Sequence, residues 1–344
     1  MADGRTERRL DLVLKGGGVK GAAFPGAIAA LEEADYQANY VAGASAGAIV
    51  GALHAAGYSA AELRTVMDNL NFLDFLDRDF KDRIPLIGRG LSLLFDQGIY
   101  EGEAFREWLE EKLVAKGVHT FGDLRQDEAG TSGFQHRLQV IASDISARRL
   151  LVLPRDADVL GIPPDELDVA TAVRMSMSIP FFFEPYVHHN PTTDTNHVIV
   201  DGGMLSNFPV WLFDVEGTPR WPTFGLMLVD GDLRTPVIER TPTVVLGGHF
   251  LRRTVSFTQA LVSTMIEAHD RLYLEDADFV RTIPIPNLGV GTTEFALTHE
   301  RKGALYDSGY ESGTRFLRSW DMDRYVAEHR SGVPEESRQV RLRG

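Results

Sequence analysis

Short apolar runs alternate with helical patterns along most of this 344-residue chain. Apolar runs bounded by glycine or polar residues predict strands. They lie at residues 10–14, 40–42, 138–142, 150–153, 198–200 and 223–229. Helical patterns lie at about residues 26–33, 46–56 and 101–116. Strands that alternate with helices predict an α/β fold with a mainly parallel central sheet flanked by helices, whose ligands bind beyond the carboxyl ends of the strands.

Three regions depart from this pattern. Residues 1–9 carry charges and no apolar run, which predicts a flexible N-terminus before a single domain over residues 10–329. Residues 69–98 are polar and aromatic without regular periodicity, and we expect a cap or surface insertion there. Residues 330–344 are polar and contain glycine and proline, so we expect a disordered tail.

The charge balance limits the partners of the chain. With 35 basic and 49 acidic residues, its net charge of −14 opposes nucleic-acid binding and attraction to anionic membranes, so any lipid contact should be chiefly apolar. The absence of cysteine excludes disulfides and thiolate metal sites. No signal-peptide pattern precedes the first strand, and we expect a cytoplasmic protein with peripheral contact with membranes. Residues 36–61 lack charges, but their glycines and polar residues favour a buried strand, turn and helix over a membrane span.

A serine stands between small residues where the second predicted strand gives way to a helix. The sequence Gly43-Ala44-Ser45-Ala46-Gly47 matches G-x-S-x-G, a strand-to-helix turn that exposes a nucleophilic hydroxyl. The alternative is a tight turn that carries an inert serine. The preceding strand and the following helix favour the nucleophile.

A glycine-rich loop follows the first strand, and its backbone N–H groups can form a hollow for negative charge. The hollow could serve as an oxyanion hole, to which Lys20 would add positive charge unless it is merely solvated. The loop also satisfies the dinucleotide-binding pattern G-x-G-x-x-G, but the acid required at the end of the second strand is missing, since Glu33 and Asp35 precede that strand. The loop consists of Gly16, Gly17, Gly18, Val19, Lys20 and Gly21.

A carboxylate follows the strand at residues 198–200. Asp201 is followed by Gly202 and Gly203, which permit close approach of another segment. A serine hydroxyl needs a base to accept its proton, and Asp201 is a candidate for that role. The alternative is an ordinary Asp-Gly turn.

These motifs, together and in this order, resemble the patatin-like phospholipases over residues 10–229. Segments 120–124, 176–180 and 207–209 are also similar to the bacterial branch of that family. The resemblance implies a three-layer α/β sandwich and a lipid acyl hydrolase that releases fatty acids from phospholipids or simpler esters without a cofactor. Ser45 would be the nucleophile, Asp201 the base, and the N–H groups around Gly17, Gly18 and Val19 the oxyanion donors. Many members have arginine where Lys20 stands, and nothing in the sequence indicates a need for a protein activator.

Histidine decides between a Ser–Asp dyad and an ordinary hydrolase triad, whose order would be Ser, Asp, His. None of the ten histidines lies in a recognisable catalytic motif, and His-Glu-x-x-His spacing is absent, so the sequence predicts a dyad and no metal. An acyl chain would need an apolar channel, for which segments 84–87, 91–95 and 181–183 are candidates, with ordinary core as the alternative. The histidines that would overturn the dyad are His249, His269, His299 and His329, and with less support His188, His189 and His197.

Overall fold

The computed structural model describes residues 8–75, 102–126, 133–180, 182–215, 217–230, 276–292 and 294–330. Most of the expected cap at 69–98, the apolar segments at 84–87 and 91–95, Phe181 and the tail beyond residue 330 therefore lie outside the described residues. Strand β1 begins at Arg8, two residues before the predicted start of the domain at residue 10.

In the part of the chain that the structure describes, eight strands form one sheet. They are β1 (Arg8–Leu14), β2 (Tyr36–Ala44), β3 (Leu138–Asp144), β4 (Arg149–Leu153), β5 (Tyr186–Asn190), β6 (Thr195–Asp201), β7 (Thr223–Val229) and β8 (Thr282–Pro286). The α-helices of the described ranges are α1 (Phe24–Glu33), α2 (Ala46–Ala55), α3 (Ala60–Asn69), α4 (Glu103–Val114), α5 (Val169–Ser176), α6 (Asp276–Val280), α7 (His299–Ser319) and α8 (Met322–His329).

The centre of the sheet is parallel. Neighbouring strands follow the order β5-β6-β3-β2-β1-β7-β8, and β4 also pairs with β3. The pairs among β3, β2, β1, β7 and β8 are parallel, whereas β4 and β6 run antiparallel to β3, and β5 runs antiparallel to β6. The prediction of an α/β fold with a mostly parallel sheet flanked by helices is confirmed.

Both faces of the sheet are covered, because successive side chains of a strand point to opposite faces. On β1, Leu12 and Leu14 enter a large apolar cluster shared with α1 and α2. Val13 enters a second cluster on the other face, where Phe208 and Phe213 pack. Within the described ranges, every helix is too short or too polar to span a lipid bilayer.

The long helix α7 packs along α1, the helix that follows the glycine loop. The approach is close because Gly309 of α7 lies against the Ala23 carbonyl, which a Cβ would meet at 2.0 Å. Helix α7 therefore supports the start of α1, and it also packs on the sheet, where its Phe316 contacts Phe224 of β7.

Several elements escaped the sequence prediction. Strand β2 is longer than predicted, β5 is too polar to stand out, and β8 contains Pro284 and Pro286, which disfavour strand assignment. Strand β8 tolerates these prolines because, among the described strands, it lies at the edge of the sheet and pairs with β7 alone. Helix α7 has the amphipathic pattern of a surface helix, which the strand-based interpretation overlooked.

Candidate active site

Ser45 lies on a sharp turn between β2 and α2. Its backbone angles are φ 51° and ψ −126°, a conformation that non-glycine residues rarely adopt. The turn is tight because Gly47 approaches the end of β1, where a Cβ would meet the Leu14 carbonyl oxygen at 2.3 Å. Ala44 ends β2 and Ala46 begins α2. This geometry is the one that G-x-S-x-G predicts for a nucleophile.

The register of β3 explains how Asp201 reaches Ser45. Strand β4 occupies one edge of β3 at residues 140–144, so β2 and β6 must share the other edge. On that edge β2 ends with Ala44 opposite Ile141, and β6 ends with Asp201 opposite the next residue, Ala142. The two strands therefore approach end to end from opposite directions.

The sequence pattern did not give the direction of β6. It predicted only a mainly parallel sheet with Asp201 at the end of one strand. Strand β6 is antiparallel to β3, and it brings Asp201 to the site because its residues pair with the part of β3 that extends beyond β2. Ser45 and Asp201 are nevertheless brought together, and both are almost completely buried.

Burial determines the electrostatics of Asp201. Desolvation raises the pKa of its carboxyl to about 6, an effect that the nearby Ser45 hydroxyl and a hydrogen bond from the Gly203 N–H partly offset. Oδ1 accepts the bond from Gly203 N–H at 2.7 Å, whereas Oδ2 is buried and accepts no bond of good geometry from the described residues. The Ser45 hydroxyl lies 3.9 Å from Met177 Sδ. The hydroxyl is close enough to the Asp201 carboxylate to lower its pKa, but it donates to Met177 Sδ and not to Oδ2.

The glycine loop leads into a 3-10 helix over Gly18–Ala23. Gly16 N–H donates to the Asn207 carbonyl at 3.0 Å, and Val19 N–H donates to the Thr292 carbonyl at 3.2 Å. The sequence predicted Val19 as one of the oxyanion donors. In the structure its N–H is already bonded to Thr292, so it is not free to bind an oxyanion. Among the described residues, no backbone carbonyl accepts a hydrogen bond from the N–H of Gly17 or Gly18.

Gly18 has a positive φ of 58°, and a Cβ there would lie 2.0 Å from the Thr292 carbonyl oxygen. Thr292 follows β8, in a part of the chain where the sequence offered no motif. Lys20 is buried, so the alternative that it is merely a solvated lysine is wrong. Gly21 follows it in the same 3-10 helix.

Asp201 is followed by a short 3-10 helix over Gly202–Met204. Gly202 lies against β3, where a Cβ would be 2.2 Å from the Ile141 carbonyl oxygen. The motif Asn207-Phe208-Pro209 contributes a side chain that sequence reasoning did not assign, since Asn207 Nδ2 donates to the Gly16 carbonyl at 3.3 Å. The amide therefore links the glycine loop to the segment after Asp201.

Neither Ser45 nor Asp201 has a hydrogen bond with a histidine of the described part of the chain. His197 lies on β6 with Asp201, but its Nδ1 pairs with Asp144 Oδ2 at 2.6 Å. His188 and His189 lie on β5, His299 begins α7 and His329 ends α8. His249 and His269 lie outside the described residues.

One group of side chains away from Ser45 has metal-ligand chemistry. Glu110, His119 and Asp168 bring three ligand atoms within 4.8 Å of one another. Other partners already orient the two carboxylates, since Arg106 pairs with Glu110 and the N–H of Thr171 donates to Asp168. These contacts explain the group as an ion-pair network at the start of α5.

Comparisons with known proteins agree with the geometry. The profile of the family described as patatin-like phospholipase matches residues 12–214. The uncharacterized protein YqhO of Bacillus subtilis (strain 168) is 35% identical over 312 residues, which cover 90% of this chain and 99% of YqhO. The crystal structure of VipD from Legionella pneumophila is similar with a TM-score of 0.50 at 18% identity, over 93% of this chain and 72% of VipD. The likeness to VipD is one of fold.

Proposed function

Because the chain belongs to the patatin-like phospholipase family, we propose that it is a serine hydrolase of lipid acyl esters in which Ser45 and Asp201 form a catalytic dyad. The family implies a lipid ester hydrolase. Beyond that activity, we propose that Ser45 and Asp201 act as the dyad and that the glycine loop supplies the oxyanion donors. The proposed substrate is a phospholipid or lysophospholipid. Membrane contact would be peripheral and chiefly apolar, since the net charge of −14 disfavours anionic lipid.

The observation that carries the proposal is the meeting of β2 and β6 end to end on one edge of β3. It places a strained serine and a buried carboxylate at adjacent levels of the sheet, and burial raises the pKa of Asp201 to about 6. A carboxylate with a raised pKa is a stronger base than an ordinary one and is still ionised at neutral pH. The dinucleotide-binding alternative has weaker support, because Asn207 and Thr292 already contact the glycine loop.

The reaction would proceed in two halves. Asp201 accepts the proton of the Ser45 hydroxyl as Oγ attacks the acyl carbonyl carbon, and the N–H groups of Gly17 and Gly18 bind the resulting oxyanion. The protonated Asp201 then donates its proton to the leaving alcohol, which leaves an acyl-enzyme. In the second half Asp201 accepts a proton from water, the hydroxide attacks the acyl carbonyl, the fatty acid departs, and the proton returns to Ser45.

The test is ester hydrolysis by the purified full chain, with a p-nitrophenyl acyl ester and a phospholipid vesicle as substrates. We expect turnover of both and covalent labelling of Ser45 by a fluorophosphonate. NAD should not bind. Saturable NAD binding without ester turnover or labelling would contradict the hydrolase and favour the dinucleotide-binding alternative.

The pH dependence should identify a carboxylate as the base. We expect kcat/KM to rise with pH through an apparent pKa near 6 and to level off above it, because only ionised Asp201 can accept the proton. An organic cosolvent should move this profile to higher pH, since ionisation of a neutral carboxyl creates charge, whereas loss of a proton from imidazolium does not. A profile that does not respond to cosolvent would contradict a carboxylate base.

Replacing the candidate histidines one at a time by glutamine should leave ester hydrolysis and fluorophosphonate labelling intact. The physical reason is that neither Ser45 nor Asp201 has an imidazole partner among the described residues. The series includes His249 and His269, which lie outside the described residues. One folded variant that loses both signals would convert the dyad into a triad.

A further inference from the structure

The C-terminal end of α5 contacts the backbone of both Ser45 and Asp201. The hydroxyl oxygen of Ser176 accepts a hydrogen bond from Ser45 N–H at 2.9 Å. Two residues later, the carbonyl of Ser178 accepts a hydrogen bond from Asp201 N–H at 2.9 Å. Ser176 and Ser178 are fully buried, so water does not compete for these bonds. One segment of three residues therefore holds the backbones of the proposed nucleophile and base.

The second bond of the Ser176 hydroxyl fixes its orientation. Oγ donates to the Ile141 carbonyl at 2.6 Å. A hydroxyl has a single proton, and donating it to Ile141 leaves the lone pairs of Oγ to accept from Ser45 N–H. Ile141 is the β3 residue opposite the last residue of β2. The hydroxyl therefore bridges β3 to the first residue after β2.

Ser45 needs such a support because its φ of 51° is unfavourable for a residue with a side chain. A strained conformation persists only where the surroundings hold it. The bond to Ser176 fixes the peptide plane that precedes Ser45, and this plane decides the direction in which the Ser45 side chain leaves the backbone.

We infer that Ser176 is a positioning residue, whose hydroxyl holds the strained backbone of Ser45 so that its Oγ is directed toward the Asp201 carboxylate. The inference rests on the proposed function and names a part of the site outside the motifs that carry Ser45 and Asp201. Because the N–H of Ser45 is bonded to Ser176, it is not an oxyanion donor. The glycine loop would therefore supply the oxyanion donors.

A buried arginine anchors this segment. Arg174 is 4% exposed, and its Nη1 donates to Ser178 Oγ at 2.5 Å. Its Nη2 donates to the Glu184 carbonyl at 2.9 Å. The guanidinium therefore ties the end of α5 to the segment that leads into β5, and it holds the side chain of Ser178, whose carbonyl accepts the bond from Asp201 N–H.

The test compares Ser176→Ala with the control Thr282→Val. Thr282 carries a buried hydroxyl that donates to the Asp278 carbonyl at 2.6 Å, as Ser176 donates to Ile141, but it lies at the start of β8. We expect Ser176→Ala to lower kcat about 10- to 100-fold, the loss typical of a misplaced reacting group. KM should be unchanged, and fluorophosphonate labelling of Ser45 should slow in parallel.

The control separates positioning from stability. Thr282→Val should lower the unfolding midpoint in urea about as much as Ser176→Ala and keep the kcat of the wild type. Wild-type kcat in Ser176→Ala, or an equal loss of kcat in Thr282→Val, would overturn the inference while the proposed function stands. If the proposed function is wrong, the wild-type chain will neither hydrolyse the ester nor react with the fluorophosphonate. That result would contradict both proposals.

Discussion

Ser45→Ala and Asp201→Asn should each lower ester turnover on the order of 10⁴-fold or more, as losses of a nucleophile or its partner do in other serine hydrolases. The first removes the attacking oxygen, and the second removes the base that accepts its proton. Circular dichroism should show an unchanged fold in both variants. Only Ser45→Ala should also abolish the site of fluorophosphonate labelling.

Asp201→Asn should in addition stabilise the protein. Between the ordinary pKa of 3.8 and the raised value of about 6, the folded chain holds a proton that the unfolded chain has lost, so wild-type stability falls as pH rises through this window. The asparagine variant lacks that penalty. Its free energy of unfolding should exceed that of the wild type by about 3 kcal/mol at pH 8, with the difference vanishing below pH 3.8.

A second buried carboxyl supplies the control for this effect. Burial raises the pKa of Asp11 to about 7, and its Oδ1 accepts a hydrogen bond from Tyr40 N–H that an asparagine would retain. Asp11→Asn should also stabilise the protein above pH 7, but turnover should be unaffected. Asp201→Asn with wild-type turnover, or with lower stability than the wild type at pH 8, would contradict the assignment of a buried base with a raised pKa.

Gly18→Ala should lower turnover about 100-fold or more, the cost of losing an oxyanion donor. Its Cβ would lie 2.0 Å from the Thr292 carbonyl oxygen, so the loop or the segment after β8 must move. A side chain on Gly18 would also crowd the oxyanion position and strain a backbone whose φ is positive.

Gly117 is the matched control for Gly18. It has a φ of 76°, but a Cβ there would meet nothing within 4 Å. Gly117→Ala should therefore cost only the backbone strain, about 1–2 kcal/mol, and spare turnover. Equal turnover in the two folded variants, measured with the p-nitrophenyl ester, would remove the glycine loop from the mechanism.

The sequence was sufficient where structure is local. The elbow around Ser45 was predictable because a short apolar strand, two glycines and a helix-compatible run lie within a few residues of one another. Strand β7 was predicted at its observed bounds because it is a continuous apolar run. The motif order also made Asp201 a candidate for the base, although the pattern could not show how the two residues meet.

The tertiary structure decided what depends on distant segments. Strand β6 runs antiparallel, and it reaches Ser45 only because β3 extends beyond β2 and leaves part of one edge open. Ser176 is 131 residues from Ser45 along the chain, and no periodicity relates the two. Burial, which raises the pKa of Asp201, and the Thr292 carbonyl beside Gly18 likewise arise from packing. A residue pattern records local conformation and chemistry, whereas desolvation and long-range hydrogen bonds exist only once the chain has folded.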